Sequence, residues 1–180
     1  MKKKLIIATI LIIFISFGGF AYTNLYPAQN LRRYSVYYAH NMEHKEGTHP
    51  EMAMALENIK AIRTPASRGI RYDYDGLAKV YNDRNNGNSH SICATYVYGV
   101  EYLYSNSKDR SYIFNSDFSL KAIYNSNTAK MEYEKSDIDE EELYKEVYNN
   151  FGFLVEANVN RKPLINMQKE FNKKYYKRFN

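Results

Sequence analysis

The stretch ICATYVYGVEYLY, residues 92–104, decides the fold. Ala94, Tyr96, Tyr98, Val100, Tyr102 and Tyr104 fall on one side of an extended chain; Cys93, Thr95, Val97, Gly99, Glu101 and Leu103 fall on the other. That is the period of a strand with one dry face. Upstream, Ile70, Tyr72 and Tyr74 alternate with Arg71, Asp73 and Asp75. The tract from Asp83 to Asn88 between these strands is expected as a long turn, with Asn86 and Gly87 supplying the positive φ of a reversal. Downstream, three more strands are expected at hairpin spacing. One carries Tyr112 and Phe114, the next Phe118, Leu120, Ala122 and Tyr124, the last Ala129, Met131 and Tyr133. Ser119, Lys121, Lys130, Glu132 and Glu134 interleave with them. The pattern predicts an antiparallel meander of about five strands, one face against a core and the other wet.

Helical signals flank the meander. Leu31, Tyr34, Tyr38 and Met42 recur at helical spacing. Thr48, Pro50 and Glu51 make a helix start with a capping box, and the helix is expected to run to Arg63, before Pro65. Ser136 or Asp137 is expected to cap an acidic helix that carries Glu140, Glu141 and Glu142 at its positive end and buries Leu143 and Val147. Residues 151–159 read equally as a short strand or an extended connector. Pro163 is expected to open a basic helix with Leu164, Met167, Phe171 and Tyr175 inward. The fold class is α+β, with helices packed on one face of the sheet.

At the start of the chain, Lys2, Lys3 and Lys4 precede an uncharged apolar run from Leu5 to Ala21. As a helix the run is roughly 25 Å long, slightly under the ~30 Å hydrocarbon thickness, so signal peptide and signal anchor both remain open. Either way the lysines stay cytoplasmic and the rest is delivered outside. The expected organisation is an N-terminal membrane segment over 1–21, a tether over 22–30 and one extracytoplasmic domain over 31–180. The formal net charge of +5 falls to +2 without the three leader lysines, which removes the main support for nucleic acid as a partner. Cys93 is the single cysteine, so no internal disulfide forms.

Few residues group into chemistry. His40, His44 and His49 are the best metal candidate, but the HExxH order is absent and a polar helix end explains them better. Cys93 and His90, three apart on a strand, point to opposite faces. Asp73 and Asp75 share a strand face about 7 Å apart, which is routine on a wet face but leaves a surface hydrolase as a distant reading. Walker, nucleophile-elbow and dinucleotide motifs are absent. No metal, cofactor or catalytic set is expected. The candidate partner surface is the charged face: Arg71, Asp73, Asp75, Thr95, Glu101, Lys121, Lys130, Glu132 and Glu134. The basic end, with Lys173, Lys174, Lys177 and Arg178 beside Tyr176 and Phe179, is a second candidate, for anionic lipid.

The MKKK leader, the helix after Thr48-His49-Pro50, the stretch DFSLKAIY from Asp117 to Tyr124, the acidic helix and KPLIN from Lys162 to Asn166 together resemble the TipC-like family of immunity proteins from streptococci and related Gram-positive bacteria. The resemblance implies a surface-exposed protector, without turnover of its own, that occludes a secreted toxin of the LXG type at the outer face of the cytoplasmic membrane. No residue role is carried over with it. The alternative is a non-enzymatic envelope protein that binds a ligand or assists secretion.

Overall fold

The computed structural model describes residues 2–85, 88–96, 99–106, 110–125, 128, 130–132 and 138–180, with backbone alone for 2–6, 8, 10, 23, 24, 85, 88 and 130–132. Three helices come first: α1 (Lys2–Leu25), α2 (Pro27–Arg33) and α3 (Ser35–His40), followed by α4 (Pro50–Glu57). Then come β1 (Ile70–Asp73), β2 (Lys79–Asn85), β3 (Asn88–Thr95), β4 (Glu101–Ser105), β5 (Arg110–Phe114), β6 (Leu120–Asn125) and β7 (Lys130–Glu132). Helices α5 (Glu140–Phe151), α6 (Phe153–Val159) and α7 (Gln168–Phe179) close the chain. The seven strands form one antiparallel sheet in sequence order, so the expected meander is present with seven strands rather than about five.

Two of the added strands hide in the sequence for different reasons. The 92–104 stretch is not one strand: β3 ends at Thr95 and β4 begins at Glu101, antiparallel to it, with Gly99 between them at φ 106°. The hairpin pairs Ala94 with Tyr102 and Ile92 with Tyr104, so Tyr102 and Tyr104 keep the face that alternation assigns them, while Tyr98 lies outside the described residues. The other, β2, absorbs Asp83 to Asn85 from the expected turn, and β3 takes Asn88. Asn86 and Gly87 lie outside the described residues.

The helix-covered face carries Tyr72, Val80, Ile92, Ala94, Tyr102, Tyr104, Tyr112, Phe114 and Leu120, paired in register across the strands. Tyr102, Tyr104 and Phe114 are fully buried. Helices supply Val36, Tyr38, Met52, Met54, Val147, Phe151, Leu154 and Phe171 to the same core. Each such side chain contributes roughly 1.5–3 kcal/mol by leaving water. Phe118, at φ 67° in the β5–β6 turn, is fully buried and stacks on Phe114, with ring centroids 4.6 Å apart.

One β-bulge changes the reading of β6. Ile113 pairs with Ala122 but Phe114 pairs with Leu120, so Lys121 is the extra residue. Beyond it the parity inverts. Leu120 and Ile123 share the covered face, while Ala122 and Tyr124 turn to the other, against the expectation that put Ala122 and Tyr124 inward.

Several helix boundaries differ from the expectation. The stretch 22–30 is not an extended tether: α1 runs to Leu25, Pro27 opens α2, and Asn30 is fully buried, donating to the Ile165 carbonyl and accepting from the Tyr38 hydroxyl at 2.7 Å. The helix expected over 31–42 is broken at Tyr34 (ψ 19°). His49, not Thr48, occupies the N-cap position of α4 and makes no side-chain cap bond; the Thr48 hydroxyl donates to the Lys45 carbonyl, and the capping box is unmade. Helix α4 stops at Glu57 rather than Arg63. Asp139 caps α5 by accepting from the Glu142 amide; the expected caps Ser136 and Asp137 lie outside the described residues. Residues 153–159 are helix α6, which neither earlier reading of that segment contained. Helix α7 starts at Gln168, five residues after Pro163, and Leu164 is exposed.

Among the described residues no single helix is long and apolar enough to cross a membrane, although the bent pair Leu11–Tyr22 and Pro27–Arg33, at 79°, passes together by length and composition. On α1, Ile7, Leu11, Ile12, Ile13, Phe14, Ile15, Phe17 and Phe20 are all more than half exposed.

Candidate functional site

The helices reach the sheet from the Tyr102 face. Tyr102 meets Glu57, Tyr104 meets Glu146 and Phe151, Asn82 meets Asn150, and Phe114 meets Tyr144. Among the described residues no helix makes such a contact with the opposite face, which is the candidate partner surface.

Three cross-strand rows run along that face. The central row is Lys79, Cys93, Leu103, Ile113 and Ala122, each paired with the next. Leu103 and Ile113 are half-buried while Cys93 and Ala122, on either side of that pair, are buried, so large side chains shelter small ones. Burial raises the Cys93 thiol pKa, partly offset by Lys79, so the sulfur is held as an unreactive thiol. A serine row lies on one flank: Ser91 pairs with Ser105 and Ser105 with Ser111, the last two sharing a hydroxyl hydrogen bond of 2.8 Å. Tyr81 and Tyr124 end that row. The other flank holds Thr95 opposite Glu101, and Glu101 makes an ion pair with Lys121.

The expected site residues divide accordingly. Arg71, Asp73, Thr95, Glu101 and Lys121 do share the uncovered face. Arg71 lies 4.0 Å over the Tyr81 ring and 3.8 Å from Asp83, and Asp73 stands opposite Lys79. Asp75 is off the sheet: β1 ends at Asp73, whose carboxylate accepts from the Asp75 amide at 3.0 Å. The two acids therefore form a turn, not a pair on one strand face. Glu132 pairs with Ile123 and Lys130 with Asn125, in the register of the covered face, because the Lys121 bulge shifts the phase on which their placement relied. Glu134 lies outside the described residues. Alternation alone points to Cys93 and Leu103 on this face; Ile113 and Ala122 complete the row only through the register.

The histidines are dispersed. His40 pairs with Glu51 at 3.1 Å, His44 bonds Thr48, and His49 sits among Tyr144, Tyr148 and Phe118. No group of three His, Cys, Asp or Glu among the described residues is placed to hold a metal ion. His90 lies on the covered face, away from Cys93, and shares Tyr104 with Glu146. The Tyr104 hydroxyl donates its one proton to Glu146 at 2.6 Å, so toward His90 it accepts from Nδ1 at 2.8 Å. Burial and the Glu146 carboxylate push the Tyr104 pKa far up, fixing the hydroxyl as that donor.

The basic end is only partly a surface. Arg178 turns inward: Nε donates to the Ser116 carbonyl at 2.5 Å and the guanidinium meets Glu57 and Tyr102. Phe179 is buried at 1% exposure. Of the expected interfacial pair only Tyr176 is exposed, which removes the lipid-facing role from Arg178 and Phe179.

Comparison with protein-family models, with curated proteins and with solved structures found no match.

Proposed function

We propose that the chain is an immunity-type binding protein that stands at the outer face of the cytoplasmic membrane and occludes a secreted protein toxin. The observation that carries this reading is the uncovered sheet face, whose apolar row of Cys93, Leu103, Ile113 and Ala122 is framed by hydroxyls on one flank and the Glu101–Lys121 pair on the other. A half-buried apolar strip with a polar rim is the anatomy of a protein-docking surface. Six inter-strand gaps and about five residues of strand give a footprint of roughly 29 by 17 Å, or ~500 Å². A standard interface needs about 800 Å² per partner, so the toxin would cover the whole face and reach its rim at Arg71 and Tyr124. Charge at that rim would steer encounter.

In this reading α1 is the membrane segment, with Lys2, Lys3 and Lys4 cytoplasmic. Its run of exposed Ile, Leu and Phe side chains supports the reading, since so long an apolar surface is costly in water.

The test is protection. Cells exporting the wild-type chain, or the L103D/I113D variant, are challenged with each toxin encoded nearby. The expected result is survival with wild type and killing with the variant; because Leu103 and Ile113 are cross-strand partners, a thermal melt of the variant, and of L103N alone, separates lost docking from lost folding. Equal killing of cells with and without the wild-type chain, for every such toxin, overturns the reading. Added protease should also degrade residues 22–180 on wall-less cells; complete protection there would reverse the topology.

A further inference from the structure

A cleft of about 700 Å³ opens between α2, the turn after α4 and the segment after α6, lined by Gln29, Arg32, Arg33, Lys60, Arg63 and Arg161 together with Ala61 and Ile62. Five of its eight lining residues are cations and none is an acid. Their formal charge equals the net charge of the whole chain, +5. No concentrated basic face is visible along the sequence because the five come from three segments some thirty to a hundred residues apart; the fold assembles it.

The cleft is built rather than incidental. The side chain of Asn158, 2% exposed, accepts from the Arg63 amide at 2.9 Å and donates to the Arg63 carbonyl at 2.8 Å, while its own carbonyl accepts from the Arg161 amide at 3.0 Å. One buried amide residue thus fixes the two walls that carry Arg63 and Arg161. Arg161 and Arg33 both lie over the Tyr34 ring, at 5.2 and 5.9 Å. Burial, with the nearby Arg33 and Arg63 charges, lowers the Arg161 pKa. Among the described residues none of these five cations takes part in an ion pair. Like charges held together without a carboxylate repel one another, and an anion bound among them relieves that repulsion.

A second hollow of about 230 Å³ adjoins it, sharing Arg32 and Lys60, and its remaining wall is mostly apolar: Leu56, Ile59, Leu77, Ala78, Ala94 and Tyr96. Its one carboxylate, Glu57, is engaged by Arg178. Leu77 and Tyr96 are 44% and 55% exposed. A basic cleft continuous with an apolar hollow matches an amphiphile with an anionic head. Gln29, Arg32 and Arg33 follow the end of α1 at Leu25 by four to eight residues, so the chain holds them within roughly 30 Å of it at full extension.

We infer that this cleft binds the phosphate of an anionic phospholipid through Arg33, Arg63 and Arg161, with Arg32 and Lys60 at the junction and the first acyl carbons along Leu77 and Tyr96. The choice of a lipid over a soluble anion rests on the apolar hollow and on the reading of α1 as a membrane segment.

The test uses the full chain in a neutral detergent, with bound lipid counted by native mass spectrometry. The probes are dihexanoyl phosphatidylglycerol, dihexanoyl phosphatidylcholine, glycerophosphoglycerol and inorganic phosphate. The expected result is at least tenfold tighter retention of the phosphatidylglycerol than of the phosphatidylcholine. R33Q/R161Q should lose that preference, as should R63Q, which leaves the backbone clamp of Asn158 intact. K173Q/K174Q, which removes the same charge elsewhere, should keep it. L77N should weaken dihexanoyl phosphatidylglycerol several-fold without changing glycerophosphoglycerol. Melting curves identify any variant that fails to fold, and R63Q then decides. Equal retention of the two lipids, or a preference unchanged in R63Q, overturns the site; displacement by equimolar inorganic phosphate overturns the lipid as its ligand. No toxin enters this assay, so its failure leaves the docking face standing, and a failed protection assay leaves the lipid preference standing.

Discussion

Arg178 on α7 and Glu57 at the end of α4 form an ion pair with side chains only 16% and 13% exposed, and the Tyr102 hydroxyl donates to the same carboxylate at 2.5 Å. The contact joins the last helix to the fourth and to the centre of the sheet. Arg178→Ala strips a buried carboxylate of its partner and is expected to cost about 3–5 kcal/mol. The double change E57Q/R178M should recover a large part of that loss, because it removes both charges. Urea denaturation of the three proteins measures the difference; a single change as mild as the double would mean the pair is solvated.

His49 should give the fold an acid-sensitive step. Tyr144, Tyr148 and Phe118 surround its ring, with Glu51, Asp117 and His44 the charged and titratable groups that face it. Burial, the largest influence, lowers its pKa below the ordinary 6.5. The unfolded chain then binds a proton that the folded chain resists, so stability is full above pH 6.5 and falls as pH drops through that value toward the folded pKa. His49→Gln should flatten the fall. Melting temperatures of both proteins between pH 7.5 and 5.5 check it, and parallel curves would refute it.

Gly152, between α5 and α6, should not accept alanine despite its helical φ of −57°. A Cβ there would lie 2.5 Å from the Tyr148 carbonyl oxygen, which already accepts the Gly152 amide at 2.7 Å. Alanine's better helix propensity, about 1 kcal/mol, is outweighed by a clash with backbone, and Gly152→Ala is expected to destabilise by about 1–3 kcal/mol in chemical denaturation. A stabilised variant would show that the α5–α6 junction relaxes freely.

Phe118 keeps φ 67° because its ring is buried against Phe114, Tyr102 and His49. The left-handed backbone costs about 1–2 kcal/mol, whereas losing a buried aromatic side chain costs about 3–5 kcal/mol. Phe118→Gly should therefore lower stability, and Phe118→Leu should cost less because it gives up chiefly the ring stacking. Denaturant midpoints rank the three.

The α+β class, the antiparallel meander and the tyrosine face were legible because period-two alternation survives the hairpin at Gly99. What stayed hidden needed information that is not local. Asp83 to Asn85 read as a turn by residue type, yet pairing with β3 drew them into β2. Thr48 had the spacing of a cap but its hydroxyl found the Lys45 carbonyl instead. Of the expected partner face, Arg71, Asp73, Thr95, Glu101 and Lys121 held together, while Asp75 left with the end of β1. The basic cleft had no signal at all along the chain, since Arg33, Arg63 and Arg161 meet only through tertiary packing.

The extra residue at Lys121 means that β6 is written in two frames. Before it, even-numbered side chains belong to the interior; after it, odd-numbered ones do, and Tyr124 becomes available to whatever lies on the open side. Deleting that one residue would restore plain alternation and leave Ile123 inside and Tyr124 outside, so what the bulge adds is the lysine itself, the cation that meets Glu101 at the margin of the open side.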